Sequence, residues 1–313
     1  MNLPQGYTAR PAVPDDLEAV VAMVDAWDLT YFGEADNANR AGLQYDWGAP
    51  WVDVERDTRL VFASDGSLAA YAIHFRPEPA PRYEAWGLVH PSHEGRGVGS
   101  AILDWAEGKS RAEAGRERYP VWNATGAPNV SGLSLLADRG YRHIRTFFQM
   151  RMDLEPTFVA GAPPEDVSIR RLVVGADERR VHAVLDHAFT GHFGYVAEPF
   201  EGWWEHQFAD ETFDPSLSVV AEVNQEIVGA SLNGVTEGTG WVYELGVLPG
   251  WRRRGIGRAL LRATFAMFAA GGLARARLGV DTGNEHGALE LYRSAGMRPV
   301  REWRVFEKHL EPG

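Results

Sequence analysis

The stretch that decides the fold is ELGVLPGWRRRGIGRALL, which spans Glu244 to Leu261. Its pattern predicts a buried strand, a tight turn and the beginning of a helix. The turn carries Arg252-x-x-Gly255-x-Gly257, and the two glycines let a ligand approach the backbone closely because they have no Cβ. Unpaired N–H groups in the first turn of the helix favour an anion at this point, usually a phosphate.

Two common phosphate-binding loops do not fit this stretch. A dinucleotide-binding loop would need a third glycine where the chain has Leu260, and a P-loop would need Gly-Lys-Ser/Thr. The loop concentrates positive charge that can donate charge-assisted hydrogen bonds, from Arg252, Arg253, Arg254 and Arg258. The sequence therefore predicts an anion-binding loop of another kind.

The same pattern occurs earlier in the chain, in AWGLVHPSHEGRGVGSAIL from Ala85 to Leu103. Gly97 and Gly99 precede the two loop glycines by a constant offset of 158 residues (255 − 97 and 257 − 99). A repeat of this length is the size of a domain, and each copy has the strand and helix order of a mixed α/β fold. The chain of 313 residues is long enough for two such domains. The proline-bearing segment 155–166 predicts a linker between a domain at 1–154 and one at 167–313.

These motifs, with two that follow the second loop, resemble the GCN5-related N-acetyltransferase (GNAT) family. The loop follows a strand ending in Val-x-Pro, Asn284 follows the next strand, and Ala288, Tyr292 and Gly296 are spaced four and four. The resemblance covers nearly the whole chain in two copies, as in the two-domain members of the family. It implies an α/β (α+β) fold in which each domain is a mixed, mostly antiparallel sheet flanked by helices.

The resemblance also implies an activity: direct attack by a primary amine of a small molecule on the thioester of acetyl-CoA. Tyr292 matches the general acid of the family, and Glu244, just before the backbone that would hold the thioester, is the predicted general base. The residues expected to contact acetyl-CoA are Leu245, Val247, Arg252, Arg253, Arg254, Gly255, Ile256, Gly257, Arg258 and Asn284.

The acceptor side is less well defined by the sequence. In the two-domain members that the chain resembles, a base-like glutamate lies six residues before the strand-ending Val, and Trp241 has that position here. A regular strand would aim Glu244 at the opposite face, so a β-bulge would be needed to bring it to the acceptor side. His192 and Trp241 are candidate substrate contacts.

The first half of the chain lacks the side chains that would do this chemistry. Leu136 stands at the position of the acid, Trp86 at that of the base, and Glu94 at that of Arg252, where it would repel a pyrophosphate. The loop backbone is preserved, at Leu88, Val89, Gly97, Val98 and Gly99. The first half is therefore either a second, degenerate CoA site or a structural partner, and catalysis is predicted in the second half.

The composition narrows the function further. A formal net charge of −12 argues against a nucleic-acid partner, and the absence of cysteine excludes disulfides, catalysis by a cysteine thiolate and cysteine-ligated zinc. No metal-ligand spacing, signal peptide or membrane-length apolar run is evident, so we expect a metal-free, cytoplasmic monomer or weak homo-oligomer. Two alternatives remain: an acetyltransferase acting on a protein or peptide amine, and a CoA-binding module without catalysis.

Overall fold

The computed structural model describes residues 1–36, 39–77, 80, 82–114, 120–209 and 212–311. Strands and helices alternate through these residues. The strands are β1 (Tyr7–Arg10), β2 (Thr58–Ala63), β3 (Leu68–Phe75), β4 (Tyr83–Val89), β5 (Pro120–Gly126), β6 (Arg142–Asp153), β7 (Ser168–Arg171), β8 (Val219–Val223), β9 (Glu226–Thr236), β10 (Thr239–Val247), β11 (Arg275–Asp281) and β12 (Arg298–His309). The α-helices are α1 (Leu17–Phe32), α2 (Asn39–Gly48), α3 (Val54–Asp57), α4 (Val98–Ala114), α5 (Val130–Asp138), α6 (Glu178–Phe189), α7 (Phe200–Ala209), α8 (Ile256–Ala270) and α9 (Ala288–Ser294).

The chain forms two compact units whose limits differ from a division at one linker. The first unit contains Met1–Phe147 and Arg301–Gly313, and the second contains Phe148–Val300. The end of the chain thus completes the first unit, while the second half of β6 belongs to the second unit. The segment 155–166 has neither helix nor strand. The limits expected from the sequence, 1–154 and 167–313, describe the two copies of the repeat and stay a prediction.

In the first unit, β1 to β5 follow one another in the sheet, and β12 pairs with β5. The β4–β5 pair is parallel, and the other pairs of this unit for which a register is described are antiparallel. Apolar side chains of α1 pack with β2, β3 and β4 in a core that contains Trp27, Leu60, Tyr71 and Ile73.

In the second unit the sheet order is β6-β11-β10-β9-β8-β7. The β10–β11 pair is parallel, and β7 to β10 pair antiparallel. Two clusters fill its two sides: α8 contributes Leu261 and Phe265 to one, and α6 contributes Val181 and Leu185 to the other. Both units are thus mixed, mostly antiparallel sheets flanked by helices, which confirms the predicted fold class.

A buried ion pair explains why the end of the chain belongs to the first unit. Arg301 lies 2.7 Å from Asp28 of α1, with both side chains almost fully buried, and it donates to the carbonyl oxygen of Glu34 at 2.7 Å. Its guanidinium also lies 4.7 Å from the ring centroid of Phe32. A buried charge without its partner is strongly unfavourable, so these contacts favour the position of β12 in the first unit.

Candidate functional site

The loop predicted from the sequence forms a backbone cradle in the second unit. Gly255 has φ of +81°, a left-handed conformation that side-chain-bearing residues rarely adopt, and it directly precedes α8. A Cβ at Gly257 would lie 3.3 Å from Cδ2 of Leu291, so the helix starts in close contact with α9. The first turn of α8 therefore has no side chain at Gly255 or Gly257 beside its unpaired N–H groups.

A cavity of about 350 Å³ adjoins this cradle, and we call it cavity 2. It lies where two parallel strands separate: β10 pairs with β11 only from Thr239 to Trp241, so the later residues of β10 are open on that side. The predicted contacts that line it are Leu245, Val247, Arg252, Arg253, Gly255, Ile256, Gly257, Arg258 and Asn284. Tyr292 and His192 line it too, whereas Glu244, Arg254 and Trp241 do not.

The four loop arginines differ in what they contact. Arg252 donates to the carbonyl oxygens of Ala188 at 2.7 Å and Val247 at 3.2 Å, so it braces the end of α6 against β10. Arg254 lies over the ring of Trp251, 4.7 Å from its centroid. Arg253 and Arg258 are exposed at cavity 2, and among the described residues neither has an ion-pair partner. These two are the arginines best able to bind an anion in the cradle.

Tyr292 is the acid candidate, and its ring is held in the core of the second unit. Only 8% of the residue is exposed, yet it lines cavity 2. Burial raises the pKa of its hydroxyl to about 12, so the phenol keeps its proton at neutral pH. Within the described residues the hydroxyl has no hydrogen-bond partner, which leaves it available to a ligand.

Glu244 lies directly after a β-bulge. The register of β10 against β9 shifts between Val242, opposite Asn233, and Glu244, opposite Leu232, which leaves Tyr243 as the extra residue. A bulge of this kind changes the face on which the following side chains lie. The sequence indicates only that such a bulge is needed to bring Glu244 to the acceptor side, and the structure contains one.

The contacts show which face Glu244 occupies. Val242 packs with Phe265 of α8, whereas a Cβ at Gly246 would meet Leu185 of α6 at 2.8 Å. Glu244 accepts a hydrogen bond from Nε1 of Trp203 in α7 at 3.3 Å. The bulge therefore places Glu244 on the α6 and α7 side.

Burial and charge both act on Glu244. Burial raises the pKa of this carboxyl and the nearby Glu198 raises it further, while the hydrogen bond from Trp203 opposes the rise. A carboxylate with a raised pKa is a better proton acceptor than an exposed one. The bond from Trp203 to Glu244 depends on tertiary placement that the sequence does not show.

His192, the other acceptor-side candidate, lies in the loop after α6. Its ring is 5.3 Å from that of His286 and 5.1 Å from that of Phe189. Burial lowers the pKa of His192, and the neighbouring His286 and Arg252 lower it further. The buried Nε2 atom has no partner among the described residues. Asn284 uses its side-chain oxygen to accept from the N–H of His286 at 2.8 Å.

The first unit has an equivalent cavity of about 350 Å³, cavity 1. Leu88, Val89, Gly97 and Gly99 line it, whereas Val98 is buried in the core beneath. The register of β4 against β3 is continuous, so no bulge occurs here. Trp86 packs in the core cluster with Tyr71 instead of presenting a carboxylate.

Together, the repeated cradle, the separating strands and the flanking helices define an acetyltransferase fold. The chain belongs to the acetyltransferase (GNAT) family, whose model matches residues 21–141 and 181–297. The two matches confirm the tandem organisation and the predicted family. The protein is an acetyl-CoA-dependent N-acetyltransferase.

Similar proteins include two relatives whose names state an activity and two solved structures. The mycothiol acetyltransferase of Kineococcus radiotolerans is 31% identical, with 94% of each chain aligned, and that of Thermobispora bispora is 29% identical over 90% of this chain and 92% of its own. The crystal structure of a GCN5-related N-acetyltransferase from Sphaerobacter thermophilus is 30% identical with a TM-score of 0.86, covering 100% of this chain and 98% of its own. A tandem GNAT protein from the clavulanic acid biosynthesis pathway shares the fold, with a TM-score of 0.73 at 15% identity over 98% of this chain and 99% of its own.

Two further observations concern the described residues only. Their helices include none that is both long and apolar enough to cross a membrane. They also contain no group of three or more His, Asp or Glu side chains arranged to hold a metal ion.

Proposed function

We propose that the second unit binds acetyl-CoA in cavity 2 and transfers the acetyl group to a primary amine of a small molecule by direct attack. The observation that carries this proposal is the bulge at Tyr243. It directs Glu244 to the α6 and α7 side of β10, while Tyr292 lines the cavity beside the same strand. The proposed base, Glu244, and the proposed acid, Tyr292, thus lie on two sides of β10.

The fit of acetyl-CoA to cavity 2 rests on the cradle. The open edge of β10 offers backbone groups to a pantetheine arm, and the start of α8 offers N–H groups to a pyrophosphate. Arg253 and Arg258 add positive charge at that end. A Cβ at Gly257 would press on Leu291, so the close packing that shapes the cradle needs glycine there.

Each catalytic residue has a defined task in this proposal. Glu244 takes the proton that the substrate ammonium must lose before its nitrogen can attack, directly or through water, and its raised pKa suits that role. Tyr292 returns a proton to the departing thiolate, because its pKa of about 12 keeps it protonated until then. Backbone N–H groups of β10 on the open side supply donors for the oxyanion.

The acceptor would be small and cationic. The carboxyl groups of Glu244, Glu198 and Asp186 all lie close enough to Tyr195 to raise the pKa of its hydroxyl, which donates to Asp186 at 2.5 Å. Carboxylates attract an ammonium group, and the aromatic ring of Trp203 adds a surface for it. Two similar proteins are named mycothiol acetyltransferase, so the acetylation in that name is the first activity to assay.

The test is to mix the full chain with acetyl-CoA and a panel of small amines and peptides, and to follow CoA release and the mass of the product. We expect acetylation of one or more small amines and none of the peptides. Turnover confined to peptide amines would favour the protein-directed alternative. Binding of acetyl-CoA without turnover on any amine would favour a non-catalytic module.

A further inference from the structure

The cradles of the two units have nearly the same backbone. Gly97 has φ of +82° and Gly255 has φ of +81°. A Cβ at Gly99 would lie 3.2 Å from Leu135, close to the 3.3 Å found at Gly257. The backbone alone therefore gives no reason for the two cavities to bind different ligands.

The side chains at the cradle differ in charge. The segment 252–258 carries four arginines and no carboxylate, whereas the corresponding segment 94–100 carries one carboxylate and one arginine, Glu94 and Arg96. Glu94 takes the position of Arg252 and lines cavity 1. A pyrophosphate in cavity 1 would thus meet the carboxylate of Glu94, whereas cavity 2 offers the exposed Arg253 and Arg258.

Glu94 is also held in place. It accepts a hydrogen bond from the hydroxyl of Tyr31 in α1 and another from Oγ of Ser131 in α5, the latter at 2.8 Å. These two hydrogen bonds fix the Glu94 carboxylate at the cavity, so the side chain does not turn away into solvent.

We propose that Glu94 is the residue that excludes acetyl-CoA and other anionic nucleotides from cavity 1. The inference rests on the proposed function in taking acetyl-CoA as the ligand of cavity 2. A like charge at contact distance near a protein surface weakens binding by about 100-fold or more. Neutralising Glu94 should therefore create a second acetyl-CoA site on a backbone that already fits it.

The test counts acetyl-CoA molecules bound per full chain, by isothermal titration calorimetry and native mass spectrometry. Glu94→Gln removes the charge but keeps an oxygen that can accept from Tyr31 or Ser131, and Glu94→Arg copies the second unit. Asp104→Asn is the matched control, because it makes the same charge change in α4 at a residue that pairs with Arg139 and does not line cavity 1. Circular dichroism and thermal unfolding establish that each variant is folded.

We expect each Glu94 variant to bind one acetyl-CoA more per chain than the native protein, and Asp104→Asn to bind the same number. Two sites in the native protein, or no increment in either folded Glu94 variant, would overturn the proposal. The number of acetyl-CoA molecules bound by the native protein tests a separate point. A native protein that binds no acetyl-CoA contradicts the proposed role of cavity 2, whereas the difference between a Glu94 variant and the native protein still tests the role of Glu94.

Discussion

Replacing Glu244 by glutamine should separate catalysis from stability. The amide keeps the shape of the side chain and an oxygen that can accept from Nε1 of Trp203. It cannot take the proton that the substrate ammonium must lose before its nitrogen attacks. We expect kcat/KM to fall by about 10²- to 10⁴-fold, the range of a positioned general base.

Glu244→Gln should lose activity but should not lose stability at high pH. Burial raises the pKa of Glu244 above the 4.5 of an exposed glutamate, so the folded state disfavours the charged form. Its contribution to stability is therefore lost as pH rises from the unfolded to the folded pKa. Each unit of that difference costs about 1.4 kcal/mol at higher pH. Glu244→Gln removes this cost, so its Tm at pH 8 should equal or exceed that of the native protein.

The assay is the pH dependence of kcat/KM together with thermal unfolding at pH 5 and pH 8. In the native enzyme, kcat/KM should rise with pH as Glu244 loses its proton, and the variant should lack that rise. Glu226→Gln, at the exposed first residue of β9, is the matched control and should behave as the native protein does. Native-like activity of Glu244→Gln with an unchanged pH profile would refute the base assignment.

Two further predictions concern neighbours of the reacting groups. Trp203→Phe keeps an aromatic ring but removes the donor to Glu244, so the pKa of Glu244 should rise and the pH profile should shift upward by about one unit; an unshifted profile would show that the bond is only structural. Arg253→Ala and Arg258→Ala should each raise the KM for acetyl-CoA by about tenfold, more at low salt, because both are exposed at cavity 2 without an ion-pair partner among the described residues. Arg254→Ala, which lies outside the cavity, should leave that KM near the native value, and equal effects at all three positions would contradict this division.

The cradle could be predicted because its determinants are local. Gly255 and Gly257 need no distant partner to mark a turn that starts a helix, and the constant offset to Gly97 and Gly99 shows the repeat directly. Tyr292 could be singled out as a candidate for the same reason, since its spacing to Ala288 and Gly296 lies within one short segment. Each of these signals depends on residues near one another in the chain.

What the sequence could not show depends on distant contacts. The bulge at Tyr243 is a property of the register of β10 against β9, and one extra residue decides the face of Glu244. Arg252 was expected at a phosphate, but its donors reach Ala188, 64 residues away in the chain. The place of β12 in the first unit likewise depends on Arg301 meeting Asp28.

The short helix α2 has a weak sequence signal for a related reason. Among its described residues only Leu43 is buried, so a periodic apolar face is nearly absent. Its side chains are placed by tertiary contacts such as the bond from Nε1 of Trp47 to the hydroxyl of Tyr71 at 2.7 Å.

The most direct test of catalysis in the second unit is kcat of Tyr292→Phe on whichever small amine the native enzyme acetylates. Removing this hydroxyl breaks no hydrogen bond within the described residues, so folding should be nearly unaffected while kcat falls by about 10²-fold or more. Tyr141→Phe, a buried tyrosine of the first unit that does not line cavity 1, is the control and should keep native kcat. If Tyr292→Phe turns over at the native rate, the acid is not Tyr292 and the assignment of the chemistry to cavity 2 is contradicted.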